Sequence, residues 1–516
     1  MQKIISKLKT HPNAVILITY ILITGIVTII FHENWRDEAQ AWLIARDLDF
    51  FGILNQMGYE GHPPLWHIIL MPFAKLGLPY ITANIINLCI MWVTAYIIIK
   101  KAPFKTSTIA LILFSVAFLY FYPTIARSYC LIPLAISLIA IYYPIRNENK
   151  IKYTLSILFL AYTHMLMLGL VGILYLFFFL EQIFYTKKDS KDIKKIIIAF
   201  IIAAGGLGCL ALILFGTIDK NSEVTVSILL SLRAHSFADV LKIAGMYMTW
   251  IIRTILGIET AIFGEIGHTS GFVITSAFAG CFLLYYIFKK NPKHAITLIM
   301  SCLWQVVIYI FIYKDISGQK ANTMFLIFLL IAWLLAVDKE NKNSEKLESI
   351  KKKASTICIF ALVLSCIFSV TCIQREIKHY YSDAKQIAQF IESNIEKDAI
   401  ITGNNGPTMS SIIAYNNNFK FWSASAKDYF TYMIWDKEHN DKLSIKELVK
   451  RAKEEFTNKE NVYLIESNEN YSLREEHEVE IEELQKQGLL SCELYESNIE
   501  NTMMKEETYK LYKINL

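Results

Sequence analysis

The chain has 516 residues, 54% of them hydrophobic, and a formal net charge of +5. Its mean hydropathy is +0.37, and it carries repeated apolar runs of about 18 to 20 residues, the length that crosses a bilayer as a helix; this excludes an ordinary soluble domain and reads as a polytopic membrane protein. Lysines and arginines gather between the apolar runs rather than in one stripe, so they report orientation in a bilayer and not a nucleic-acid surface, for which no motif is present.

A basic N-terminus, Met1-Gln2-Lys3-Ile4-Ile5-Ser6-Lys7-Leu8-Lys9, precedes an apolar segment at 14–31 without a small-residue cleavage site, which predicts a retained first span. Further spans are predicted at 81–100, 106–122, 128–143, 152–163, 165–185, 195–215, 270–288, 295–313, 321–337 and 355–373, about eleven in all. The 152–163 and 165–185 runs abut, which implies a tight reversal around His164. With the N-terminus in the cytoplasm, the lysine-rich connections at 100–105, 146–152, 187–195, 289–293 and 339–353 all fall inside, in keeping with the positive-inside bias. The same count puts a first loop at 32–80, Arg127, His164, the 314–320 stretch and the C-terminal tail outside. The apolar run at 64–78 is too short to span comfortably and carries His67 and Lys75, so an interfacial helix is predicted there. The ambiguous run at 240–263 is kept on the surface as well, because one extra crossing would invert every later connection.

From about residue 374 the chain turns polar and can no longer span. The stretch 382–395 has an apolar pattern at Ile387, Phe390, Ile391 and Ile395 that predicts an amphipathic helix. Short β-type runs follow at 399–402, 420–422, 461–465 and 510–514, with a turn at 403–407. The expected fold is thus mainly α: a transmembrane helix bundle over 1–373 and a small external α/β domain over 374–516. Of nine cysteines, eight lie in or beside apolar runs and Cys492 lies in the tail, which suggests neither a disulfide framework nor a zinc site.

Two segments after the first span concentrate chemistry: Asn34-Trp35-Arg36-Asp37-Glu38-Ala39-Gln40-Ala41-Trp42, and Glu60-Gly61-His62-Pro63-Pro64-Leu65-Trp66. Adjacent carboxylates on a helix point about 100° apart, so Asp37 and Glu38 cannot form a facing pair; one can face a reaction while the other supports. Alone, the pair equally fits the acidic first turn of a surface helix. Arg127 and Tyr129, in Ile125-Ala126-Arg127-Ser128-Tyr129, stand at the outer end of a later span, where a guanidinium either grips phosphate or snorkels to the interface. His62, His164 and Lys320 are further polar groups on that face, and Pro63 and Pro64 fix where the surface helix starts. Trp35, Trp42 and Trp66 suit either stacking on substrate or the aromatic belt of a membrane interface.

In order and topology, Asp37-Glu38, the His62-Pro63-Pro64-Leu65-Trp66 segment, Ala126-Arg127-Ser128-Tyr129 and Tyr162-Thr163-His164 resemble the GT-C class of polytopic glycosyltransferases. The nearest group is the bacterial branch similar to protein O-mannosyltransferases, aminoarabinose transferases and Rgt-like lipopolysaccharide-core transferases, over roughly residues 10–340. The resemblance implies a polyprenyl-phosphate-linked sugar as donor, a lipid, glycan or protein hydroxyl as acceptor, and a reaction at the outer face of the cytoplasmic membrane. It implies Asp37 as the catalytic carboxylate acting as general base with Glu38 its neighbour, and Arg36, His62, Trp66, Arg127, Tyr129, His164 and Lys320 as substrate-binding. Relatives often carry Arg and His together where this chain has Gly318-Gln319-Lys320-Ala321-Asn322, and Lys320 is taken to complete phosphate binding. Sugar, acceptor and any divalent metal cofactor stay open. A transporter or flippase of lipid-linked glycans is the alternative, although no internal repeat is visible; a surface-assembly protein whose tail binds wall polymer is a third.

Overall fold

The computed structural model describes residues 11–184, 190–216, 270–311, 318–338 and 345–515, less 404–405, 417, 436–442, 458 and 469–473, together with three single residues between 236 and 245. The 240–263 run and most of the 314–320 stretch fall outside the described residues.

The first helix, α1 (Pro12–Ile26), starts with proline in its first turn, where the missing N–H costs nothing, and continues through a wide turn at Val27–Phe31. Its Ile18, Leu22, Ile26 and Ile30 face outward, as a lipid-facing stripe does, while Tyr20 is buried and its hydroxyl donates to the Phe118 carbonyl at 2.8 Å. Three short helices follow, α2 (Arg36–Asp47), α3 (Phe50–Glu60) and α4 (Leu65–Lys75), before α5 (Thr82–Lys101). Helix α4 is apolar but only 11 residues long, and its Trp66, Leu70 and Ala74 form one buried line.

The next segment breaks into α6 (Thr106–Leu113) and α7 (Ala117–Thr124), which meet at 57°. Breaking a helix in lipid exposes backbone groups that must be bonded inside the protein. The last long helix supplies the partners: Val116 N–H donates to Ser365 Oγ at 3.1 Å, and Ser369 Oγ donates to the Phe114 carbonyl at 2.9 Å. The bundle continues with α8 (Leu131–Tyr142), α9 (Lys150–Ala161), α10 (Leu168–Phe184), α11 (Ser190–Phe215), α12 (Ser270–Lys290), α13 (Pro292–Phe311), α14 (Gly318–Val337) and α15 (Glu345–Lys378). Among the described residues, 8 helices are long and apolar enough to cross a membrane, or up to 9 if the bent pair is one span. The protein is membrane-embedded and multi-pass. The run expected to span at 152–163 is the 12-residue α9, short for a crossing.

At one end of the bundle the ends of four helices are joined by charge. Glu181 accepts two bonds from the Arg146 guanidinium, at 3.0 and 2.9 Å, and one from Lys293 at 3.2 Å, while His294 meets Asp338 at 3.2 Å.

The C-terminal part adds α16 (Ala384–Asn394), β1 (Ile400–Gly403), α17 (Gly406–Tyr415), β2 (Lys420–Ser423), β3 (Asp428–Tyr429), α18 (Ile445–Glu455), β4 (Val462–Ser467), α19 (Arg474–Lys486), β5 (Tyr495–Glu496) and β6 (Tyr509–Ile514). These strands form a mixed sheet in the order β3-β2-β1-β4-β6-β5, with β1 parallel to β2 and β4 and the other pairs antiparallel. Alternation along the strands separates two cores. Ile401, Tyr463, Ile465 and Leu511 pack with Ile387 and Ile412 on one face, and Ile400, Val462, Leu464 and Tyr512 pack with Leu448 and Val449 on the other. Leu43 of α2 belongs to the first of these cores, so the sheet domain is docked on the first loop of the bundle.

Packing inside the bundle yields a pair of opposite expectations. A Cβ on Gly169 would lie 2.2 Å from the Trp304 side chain, whereas one on Gly172, a turn further along α10, meets nothing within 4 Å. Gly169→Ala should lower stability by about 1–3 kcal/mol through overpacking. Gly172→Ala should raise it by about 0.5–1 kcal/mol, because glycine is costly inside a helix. Thermal melting of both variants in one detergent checks the signs.

Candidate functional site

The site is built on the first turn of α2. Glu38 is 1% exposed, and both of its oxygens are engaged. Its Oε2 accepts from the Trp35 N–H at 3.2 Å, satisfying one of the amides that every helix start leaves without an internal partner, and meets His32 Nε2 at 3.1 Å. Its Oε1 accepts from the Ala126 N–H at 2.6 Å. Glu38 therefore joins the end of the first span, the start of α2 and the segment that carries Arg127.

On its other side His32 Nδ1 meets Glu376 of α15 at 2.7 Å, and Tyr120 OH donates to the second oxygen of Glu376 at 2.5 Å. Burial alone would lower the His32 pKa, but the flanking carboxylates of Glu38 and Glu376 override it and hold it up at about 10. An imidazolium between two carboxylates is the arrangement that makes such deep burial of charge tolerable.

Asp37 precedes Glu38 by one position and points about 100° away. Its carboxyl is 31% exposed and pairs with Arg127 Nη1, while Arg36 Nε lies 4.0 Å from its other oxygen. Arg127 is thus fixed twice, by its neighbour's amide on Glu38 and by its own guanidinium on Asp37. The Arg127 guanidinium lies 5.6 Å from the Tyr129 ring centroid, Tyr129 stacks on His164 at 4.6 Å, and the His164 and His62 rings are 5.0 Å apart. Lys320, in the first turn of α14, lies close enough to bear on both imidazoles. Burial chiefly, then the charges around them including Arg127 and Lys320, hold His62 and His164 well below the ordinary histidine range. His67 is lowered to about 3 by burial and Arg127.

A second carboxyl reaches this cluster from α3. Glu60 Oε1 accepts from Gln40 at 2.8 Å and Gln56 at 3.1 Å, and desolvation pushes its pKa up to about 7 against those hydrogen bonds and the pull of Arg127. The left-handed Gly61, at φ 64°, turns the chain from α3 toward His62.

Of the residues singled out in the sequence, Asp37, Arg127, Tyr129, His164, His62 and Lys320 gather at one end of the bundle, with Arg36 at its edge. Glu38 lies beneath them as a buried clamp. Trp66 is 2% exposed and belongs to the core of the bundle, as does Tyr129 at 1%. The spacing of Trp66, Leu70 and Ala74, four residues apart, is the signal that places it there. His32, Glu376 and Glu507 are engaged around the same loop although no motif in the sequence marks them, whereas Gln40 and Glu60 lie within the two segments that concentrate chemistry. Among the described residues, no group of three or more His, Cys, Asp or Glu side chains is gathered as for a metal ion. No family model matches the chain, and no curated protein matches it.

The arrangement sets one accessible carboxylate beside fixed cations and imidazoles held in the neutral form. Such a surface can accept a proton at Asp37 while an anion rests against Arg127 and Lys320.

The charge triad gives a test. Because the folded-state pKa of His32 is raised from 6.5 to about 10, its contribution to stability is full below pH 6.5 and is lost as pH rises through about 10. Wild-type melting temperature should fall progressively between about pH 6.5 and 10, and His32→Gln should lose that dependence. His32→Leu, which leaves two buried carboxylates without their counter-charge, should cost about 3–5 kcal/mol near neutrality. Unchanged melting in His32→Leu would remove the triad from the account.

Proposed function

We propose that the protein is a glycosyltransferase that moves a sugar from a polyprenyl-phosphate donor to an acceptor hydroxyl at the outer face of the cytoplasmic membrane. The observation that carries this reading is the Asp37–Arg127 pair on a membrane-embedded bundle, with Lys320, His62 and His164 beside it. Asp37 takes the proton of the acceptor hydroxyl as its oxygen bonds to the anomeric carbon. The bond from that carbon to the phosphate oxygen breaks through an oxocarbenium-like sugar, and the electron pair leaves on the polyprenyl phosphate. Arg127 and Lys320 stabilise that phosphate, and the planar guanidinium suits it best because two N–H groups can meet two oxygens. The clustering of Arg146, Lys150 and Lys293 beyond the far ends of α8 and α10 supports an orientation with that end in the cytoplasm.

The 57° break between α6 and α7 is the observation that favours a transporter, since broken spans line many transport paths. The backbone groups at the break are bonded to Ser365 and Ser369, which supports a packed bend instead.

Asp37→Asn keeps shape and removes the base, so transfer from a purified polyprenyl-phosphate sugar should fall by about 10²–10⁴-fold while the protein stays folded. Arg127→Lys keeps charge and loses the fork; a lost charge-assisted hydrogen bond of about 1.5–3 kcal/mol predicts roughly 10- to 150-fold weaker turnover or donor binding. Near wild-type transfer by Asp37→Asn would end this reading.

A further inference from the structure

The loop that carries Asp37 is hydrogen-bonded to the C-terminal domain at four residues. Gln386 donates to Glu33 at 2.6 Å, the Asn34 N–H donates to Tyr415 OH at 2.7 Å, and Gln40 exchanges two bonds with the backbone of Met433, at 2.7 and 2.9 Å. Between these, the Arg36 N–H donates to Glu507 Oε1 at 2.8 Å. Glu507 is 0% exposed, in the short turn before β6, and its other oxygen accepts from Ser382 Oγ at 2.6 Å and Ser411 Oγ at 3.1 Å. Arg36 is the first residue of α2, where an amide has no partner within the helix and where the helix dipole favours a carboxylate. A helix normally takes such a cap from its own sequence; here it comes from a separate domain 471 residues away.

We propose that Glu507 is a positioning residue for Asp37: by accepting the Arg36 N–H it fixes the first turn of α2, and with it the direction in which the Asp37 carboxylate meets Arg127. This rests on the function proposed above. Domain and bundle are then one catalytic unit, with the sheet domain setting the geometry of a loop that the membrane helices hold through Glu38, through the Asp37–Arg127 pair and through Asn34 on Asn84. A buried carboxylate is costly to retain unless its bonds matter, and all three of these converge on the place where the domain meets α2. Small misplacements of a reacting group are expensive, up to about 10²-fold in rate per ångström.

The test combines hydrogen–deuterium exchange of the 33–42 segment with transfer kinetics in the full-length protein, for Glu507→Ala and Glu507→Gln. Glu507→Ala should speed exchange in 33–42 and lower kcat by about 10- to 100-fold, with donor KM within about twofold of wild type. Glu507→Gln, which keeps an oxygen for the Arg36 N–H, should restore most of both. If Glu507→Ala does not fold, Ser411→Ala removes one bond to the same carboxylate and should move both readouts the same way by less. Exchange in 33–42 that is unchanged overturns the proposal whatever the activity, and so does faster exchange with wild-type kcat. Absence of transfer by the wild-type protein, with exchange responding to Glu507→Ala, overturns the transferase reading and leaves Glu507 as the tether of the loop.

Discussion

The Glu38 carboxylate is the interaction on which the rest of the site depends. Three groups converge on it: the imidazole of His32 at the end of the first span, the Trp35 amide at the start of α2 and, from 88 residues away, the Ala126 amide just before Arg127. Because Glu38 is turned inward, the preceding residue is turned about 100° away toward the surface, and Arg127 is held where its side chain meets Asp37. The adjacent acids therefore divide the work, one as buried clamp and one as accessible carboxylate. A buried anion of this kind needs a counter-charge, and His32, shared with Glu376, supplies it.

The same logic of satisfying polar groups shapes the bundle. At the bend between α6 and α7, two serines of α15 bond the backbone groups freed by the break. At the lysine-rich end, Glu181 pairs with both Arg146 and Lys293. Helix α15 thus contributes at two levels, through Ser365 and Ser369 along its length and through Glu376 near its end. The two charged clusters lie at opposite ends of α8, one compensated among its own members and the other including the accessible Asp37.

Much of this is legible in the sequence because the signals are local. Polar residues at the ends of apolar runs mark Asp37, Arg127, His164 and Lys320, which the fold gathers at one end of the bundle. Short β-type runs mark β1, β2, β4 and β6, and the line of Ile387 and Ile391 marks α16. Elements that depend on distant partners are not legible. The bend has neither glycine nor proline at Phe114-Ser115-Val116, and its serine partners lie 249 or more residues away. The His32–Glu376 pair spans 344 residues, and the two-residue strands β3 and β5 are too short to carry a pattern. Residue type alone makes Trp66 a candidate stacking ring, whereas its helical spacing with Leu70 and Ala74 assigns it to the core.

The proposed transfer requires a lipid phosphate at the Asp37–Arg127 end of the bundle. Electron cryo-microscopy of the protein with a bound polyprenyl monophosphate tests it most directly. Phosphate oxygens are expected within hydrogen-bond distance of Arg127, beside Lys320 and next to the Asp37 carboxylate. A phosphate seated instead against Arg146 and Lys293, at the other end of α8, would contradict it.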